Sequence, residues 1–141
     1  ICNKSFSNLL SNEFFAGYEN EFKRPNLIAN GIIGCVPKHP IVEMCIQNIK
    51  NINNNEIAHK PSFKTTGPKL LTKSINAYEI NKITIYPSWY FFPIHYSGYR
   101  INKKIDPYKD SYTNQLWLST RKKNLTLFKR LLNKLKSFVN R

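Results

Sequence analysis

An α/β fold is predicted by two patterns in this 141-residue chain. Short apolar runs bounded by turn residues, at 14–18, 27–36 and 83–86, read as strands, and two segments of helical periodicity, each opened by a proline, lie between the second and third runs. With 41% apolar residues, a chain of this length holds one core, and its length does not call for two domains.

Taken in order, Ser5 to Leu10 can close one helical turn. Phe14-Phe15-Ala16-Gly17-Tyr18 is apolar without interruption, as a buried strand is, and the polar stretch from Glu19 to Asn26 reads as a loop. Leu27 to Val36 carries glycines at 31 and 34, which suits a strand or loop approached closely by another backbone or by a ligand. His39-Pro40 opens a helix, since proline is tolerated at the first helical position, and Ile41, Cys45, Asn48, Ile49 and Ile52 follow at helical spacing. Asn53 to Lys64 is polar and reads as an exposed loop. Thr66-Gly67-Pro68 repeats the proline device with a hydroxyl available as a cap, and Leu70, Leu71, Ile75 and Tyr78 form the buried stripe.

Ile83 to Tyr86 alternates as a strand. Trp89 to His95 is expected to continue as extended chain between Pro87 and Pro93, Tyr99 to Asp110 as a basic loop, and Gln115 to Leu118 as a last short strand. From Asn124 to Val139, leucines, phenylalanines and a valine at helical spacing alternate with lysines and an arginine, so 122–141 reads as a basic amphipathic helix beyond a domain spanning 1–121.

Composition narrows the chemistry. Eight acidic residues and three histidines leave few acid/base pairs for a hydrolase, and no histidine stands at metal-ligand spacing with another histidine or a cysteine. Cys2, Cys35 and Cys45 are odd in number with no CxxC pair, which suits reduced, buried thiols better than a disulfide framework or a zinc site. No run of about eighteen apolar residues appears. A formal charge of +14 favours anionic partners, unless it reflects background lysine and asparagine usage alone.

Three places could hold a ligand on physical grounds. The helix start at Thr66-Gly67-Pro68 exposes backbone N–H groups and a positive dipole end, suited to a phosphate or a sugar hydroxyl, or it is an ordinary capped helix. Glu19-Asn20 and Asn30-Gly31 put short polar groups at strand ends, where open α/β sheets bind ligands, or they are plain turn residues.

The stretches FFAGYEN (14–20), NGIIG (30–34), TTGPKLLT (65–72), YPSWYFFPIHYSG (86–98) and YTNQLW (112–117), in this order, resemble the C-terminal half of glycosyltransferase family 32, the DXD sugar-binding-region transferases. The resemblance spans roughly three quarters of the chain. It implies the C-terminal portion of a GT-A-like nucleotide-sugar transferase domain, an incomplete mixed sheet with flanking helices. It further implies a retaining enzyme that moves a hexose from a nucleotide sugar to a glycan or lipid-linked acceptor. The donor and acceptor residues would then be Glu19, Asn20, Asn30, Gly31, Thr66, Gly67, Pro68, His95 and Trp117.

A divalent cation, Mn²⁺ or Mg²⁺, is the cofactor so implied. Gln115 stands where the family has a histidine near the metal, and its neutral oxygen is a weaker ligand than imidazole. No D-x-D pair occurs in the chain, so the resemblance places the principal ligands a few residues before Ile1 and makes this polypeptide inactive alone. Lys69, Lys73 and Arg100 are candidates for assisting departure of the diphosphate.

The helix at 122–141 either packs on the domain or attaches it peripherally to an anionic membrane; a cytoplasmic setting is expected, with a Golgi-type lumen as the alternative. The rival class is a non-catalytic basic module for nucleic acid or anionic membrane, and a decayed transferase is a third reading. Nucleic acid is disfavoured, because the aromatic residues fall in an apolar run suited to a core while the lysines concentrate elsewhere.

Overall fold

A computed structural model describes residues 1–78 and 82–118. The basic helix expected at 122–141 lies outside the described residues. Strands β1 (Phe14–Asn20), β2 (Arg24–Cys35) and β3 (Ile83–Tyr86) form a mixed sheet in the order β2-β1-β3. The strand β1 is antiparallel to β2 and parallel to β3. Parallel neighbours need a crossover, here made by α1 (Pro40–Lys50), α2 (Asn54–His59), α3 (Ser62–Thr65) and α4 (Pro68–Asn76).

The central position of β1 explains its unbroken apolar sequence. Strand side chains alternate between faces, so Phe14 and Ala16 enter one core with Ile28, Ile41, Leu71 and Ile75, beneath α1 and α4. Phe15 enters a second core on the opposite face with Leu9, Ala29, Phe91 and Phe92. At Gly17 a Cβ would stand 2.7 Å from Phe91 Cδ2, so the aromatic layer approaches the sheet at a distance only glycine permits. Rings continue that layer outward: Tyr86 stacks on Tyr90 at 4.7 Å and Tyr90 on Tyr112 at 5.6 Å.

Helix starts follow their local chemistry. His39 caps α1 by accepting the Ile41 N–H on Nδ1 at 3.2 Å, with Pro40 at the first helical position. In α4 the Thr72 hydroxyl donates to the Pro68 carbonyl at 2.8 Å and accepts the Ile28 N–H at 3.0 Å, which ties the helix to β2. The cap expected from Thr66 is absent. Gly67 is the N-cap of α4 without a side-chain hydrogen bond, and Thr66 instead closes α3, its N–H donating to Ser62 O at 3.0 Å.

Several other expectations are corrected. Residues 53–64 are not a continuous loop but carry the short helices α2 and α3, polar yet long enough to close single turns. The stretch 19–26 is mostly strand, because β1 and β2 extend to Asn20 and Arg24 around a tight connection. Residues 89–95 are not extended: a 3₁₀ turn at Ser88–Tyr90 lets Phe91 and Phe92 both face inward. That turn is held from the hairpin side, where the Glu21 carboxylate accepts the Ser88 N–H at 2.6 Å and the Ser88 hydroxyl.

Residues 115–118 form no strand. Trp117 has φ 54°, a left-handed conformation that is an outlier for a bulky residue and breaks extended pairing. The cysteines are free but not fully buried: Cys2 and Cys35 are exposed, Cys35 at the end of β2, while half-buried Cys45 packs from α1 against the first core. No helix among the described residues is long and apolar enough to cross a membrane.

Candidate functional site

A register shift in the hairpin opens the site. Ala16 pairs with Ile33 but Gly17 pairs with Ala29, so Asn30, Gly31 and Ile32 are extra residues on β2 with no opposite number on β1. Such bulges re-aim side chains and end regular pairing. Here the bulge becomes one wall of an open groove of about 460 Å³, to which Ala29, Asn30 and Gly31 contribute.

Glu19 joins that wall from the carboxyl end of β1. The opposite wall is Ser62 and Phe63 of α3 with Thr66, Gly67 and Pro68 leading into α4. Phe92, Gln115 and Trp117 close the third side. Residues far apart in sequence are therefore in contact range: a Cβ on Gly31 would stand 3.2 Å from Phe92 Cε1 and 3.3 Å from Gln115 Oε1. The groove's volume falls within the range of small-molecule sites, and its lining mixes three aromatic rings with a few polar groups, as such sites do.

Its charge is set at one end. The Glu19 carboxylate accepts from Arg24 Nη1 at 2.9 Å, an exposed ion pair that contributes little to stability but fixes the carboxylate's direction. The Arg24 guanidinium lies 5.1 Å from the Phe63 ring centroid and Lys69 Nζ lies 5.6 Å from it, so two cations flank the ring. Lys73 and Arg100 do not line the groove.

Of the donor, acceptor and metal residues that the sequence singled out, all line this groove except Asn20 and His95. Asn20 is buried in the hairpin connection, where its carboxamide donates to the Tyr99 hydroxyl at 2.9 Å and accepts the Lys23 N–H at 3.2 Å. His95 stacks on Tyr99 at 4.6 Å and bonds the Ser97 hydroxyl through Nδ1 at 2.7 Å. Partial burial holds the His95 imidazole below the ordinary histidine value, with the positive charges of Lys23 and Arg24 acting in the same direction. Asn20 and His95 thus meet through Tyr99 in a separate structural constellation.

Sequence reasoning overlooked Ala29, Ser62, Phe63 and Phe92 as lining residues. Phe63 had a visible signal, as an isolated aromatic in the polar stretch directly before Thr65-Thr66-Gly67-Pro68. Ala29 had none, because its position depends on the bulge beside it.

The donor set does not suit a divalent cation. Among the described residues Glu19 is the one carboxylate lining the groove and is already paired with Arg24, and Gln115 offers a neutral oxygen. Among the described residues no group of three or more His, Cys, Asp and Glu side chains could hold a metal ion.

Fold and groove together define a small α/β domain with a three-stranded mixed sheet, flanking helices and a ligand-sized cleft at the carboxyl end of its central strand. No protein-family model, no curated protein and no solved structure matches the chain.

Proposed function

We propose that the groove binds the sugar portion of a nucleotide sugar, in a retaining glycosyltransferase of GT-A-like architecture that resembles family 32. The observation that carries this reading is the convergence of Glu19, Asn30, Gly31, Thr66, Gly67, Pro68, Gln115 and Trp117 on one groove, from four separate segments of chain.

The chemistry of the lining supports it. A pyranose has apolar C–H faces and an equatorial belt of hydroxyls, which call for rings beside hydrogen-bonding groups. Phe63, Phe92 and Trp117 offer the rings, while Glu19, Asn30, Thr66 and Gln115 offer acceptors and donors. Transfer with retention does not require a strong protein base, which agrees with a groove holding a single, paired carboxylate.

Saturation-transfer NMR with a panel of nucleotide hexoses and methyl hexosides tests the reading. Transfer to sugar-ring protons, reduced by both Trp117→Ala and Gly31→Val, is the expected result. Absence of transfer for every ligand, or transfer untouched by both substitutions in folded protein, would refute it.

The Arg24 ion pair on Glu19, and the lack of a second carboxylate among the described residues of the groove, favour one further reading, a domain that binds the sugar without turning it over. The protein would then bind the donor and release no nucleotide.

A further inference from the structure

A second concavity lies on the helical side of the molecule, distinct in its walls and its chemistry. It encloses about 740 Å³ between α1, α3 and α4, and its boundary carries Lys60, Lys64, Lys69 and Lys73. All four lysines are exposed. Among the described residues no acidic side chain lines the concavity. Its floor is apolar, from Ile52 and Leu70, and Asn48, Asn51 and Thr65 add uncharged polar groups. The Asn48 carboxamide is held by donating to the Ser74 hydroxyl at 3.1 Å, which keeps α1 and α4 at a fixed separation across the site.

Two features set this arrangement apart from a merely basic surface. Lys69 and Lys73 are one helical turn apart on α4, where like charges repel, and both also border a neighbouring concavity of about 620 Å³ that again has no acidic side chain among its described residues. Lys64, Lys69 and Lys73 take part in neither of the described ion pairs, Arg24 with Glu19 and Lys82 with Glu13. A recess focuses the field of charges along its rim and so raises the local concentration of anions above that over a convex surface.

From these observations we infer that the four-lysine concavity is a binding site for a compact, multiply phosphorylated group. Ammonium groups on flexible stems act as point charges that adapt to clustered phosphates, whereas no guanidinium fork is present to select a planar carboxylate. The ligand is either a soluble polyphosphate or the phosphorylated headgroup of a lipid. The site shares none of its lining with the sugar groove, so it stands whether or not that groove binds sugar.

The test compares two triple variants that lose equal charge. Lys64→Gln/Lys69→Gln/Lys73→Gln removes the rim, and Lys103→Gln/Lys104→Gln/Lys109→Gln removes three exposed lysines from the distant loop. Circular dichroism confirms that both are folded. Calorimetric titration with tripolyphosphate and co-sedimentation with vesicles, with and without phosphatylinositol bisphosphate, form the two arms. The rim variant is expected to lose affinity by about tenfold or more, and the loop variant to change far less. Binding should weaken as salt rises. A response in the vesicle arm alone assigns the headgroup, and one in the tripolyphosphate arm assigns the soluble form. Equal losses in the two variants would show a response to net charge only, and no binding in either arm would remove the site; either result overturns the inference.

Discussion

The indole N–H of Trp117 donates to the carbonyl of Ile94 at 2.8 Å, fastening the last described aromatic residue to the segment that follows the inner phenylalanines. The same ring packs against Phe92 at 6.3 Å and Tyr96 at 6.1 Å, and its backbone holds φ 54°. One side chain thereby compensates a strained backbone and supplies one side of the groove. Trp117→Phe keeps a ring and loses the hydrogen bond, so it should cost about 0.5–1.5 kcal/mol in urea denaturation. Trp117→Ala should cost more and should also reduce sugar binding.

Gly17 and Gly31 separate a packing requirement from a groove requirement. Alanine at Gly17 drives a methyl to 2.7 Å from Phe91 Cδ2 inside the core, and overpacking of this kind costs about 1–3 kcal/mol. At Gly31 the contacts begin at 3.2 Å, on the far edge of the Phe92 ring and the Gln115 carboxamide. Gly31→Ala should leave the thermal midpoint nearly unchanged while weakening any ligand that enters beside Gln115. Denaturation and NMR titration of the two variants side by side measure the contrast.

Phe91 is fully buried at the centre of the aromatic layer, within ring contact of Phe6, Phe15, Tyr86, Tyr90, Phe92 and Tyr112. Phe91→Ala should cost about 3–5 kcal/mol, a large fraction of the stability of an ordinary domain. Phe91→Leu, which preserves most of the volume, should remain folded by near-ultraviolet circular dichroism.

Glu21 anchors the turn at Ser88 from the tip of the hairpin. Glu21→Ala leaves a buried serine without its acceptor and should cost about 1–3 kcal/mol. Hydrogen exchange should localise the loss to the 88–92 turn rather than to α1 or α4.

The imidazole of His95 gives stability a dependence on acid. Burial, then Lys23 and Arg24, lowers its folded value below the 6.5 of the unfolded chain, so the unfolded state binds the proton more readily. This contribution is present above pH 6.5 and is lost as pH falls through the lower folded value. His95→Gln should flatten that part of the curve in denaturation midpoints measured between pH 7.5 and about 5.

Much of the fold was legible because its signals are local. The apolar run at 14–18, the prolines at 40 and 68, and the alternation at 83–86 each state a backbone preference within a few residues, and the corresponding elements are present. The short helices at 54–65 were not legible, since their polar sequence lacks a periodic stripe and they are held by neighbours instead. The aromatic run at 89–95 read as strand because β-propensity follows ring content, but packing both Phe91 and Phe92 inward requires a turn.

The order of residues along the chain determined on its own the strands at 14–18 and 83–86, the helices opened by Pro40 and Pro68, which residues are apolar, and how strongly basic the chain is. Tertiary structure alone decided that Asn30 and Gly31 leave the ladder as a bulge, that Phe63 turns into the groove, and that Asn20 and His95 stand apart from it. The physical reason is distance along the chain. A preference for strand or helix is settled among neighbours, but the approach of Gln115 to Gly31 depends on the register of β1 against β2 and on the aromatic layer that carries Phe92 and Trp117 between them.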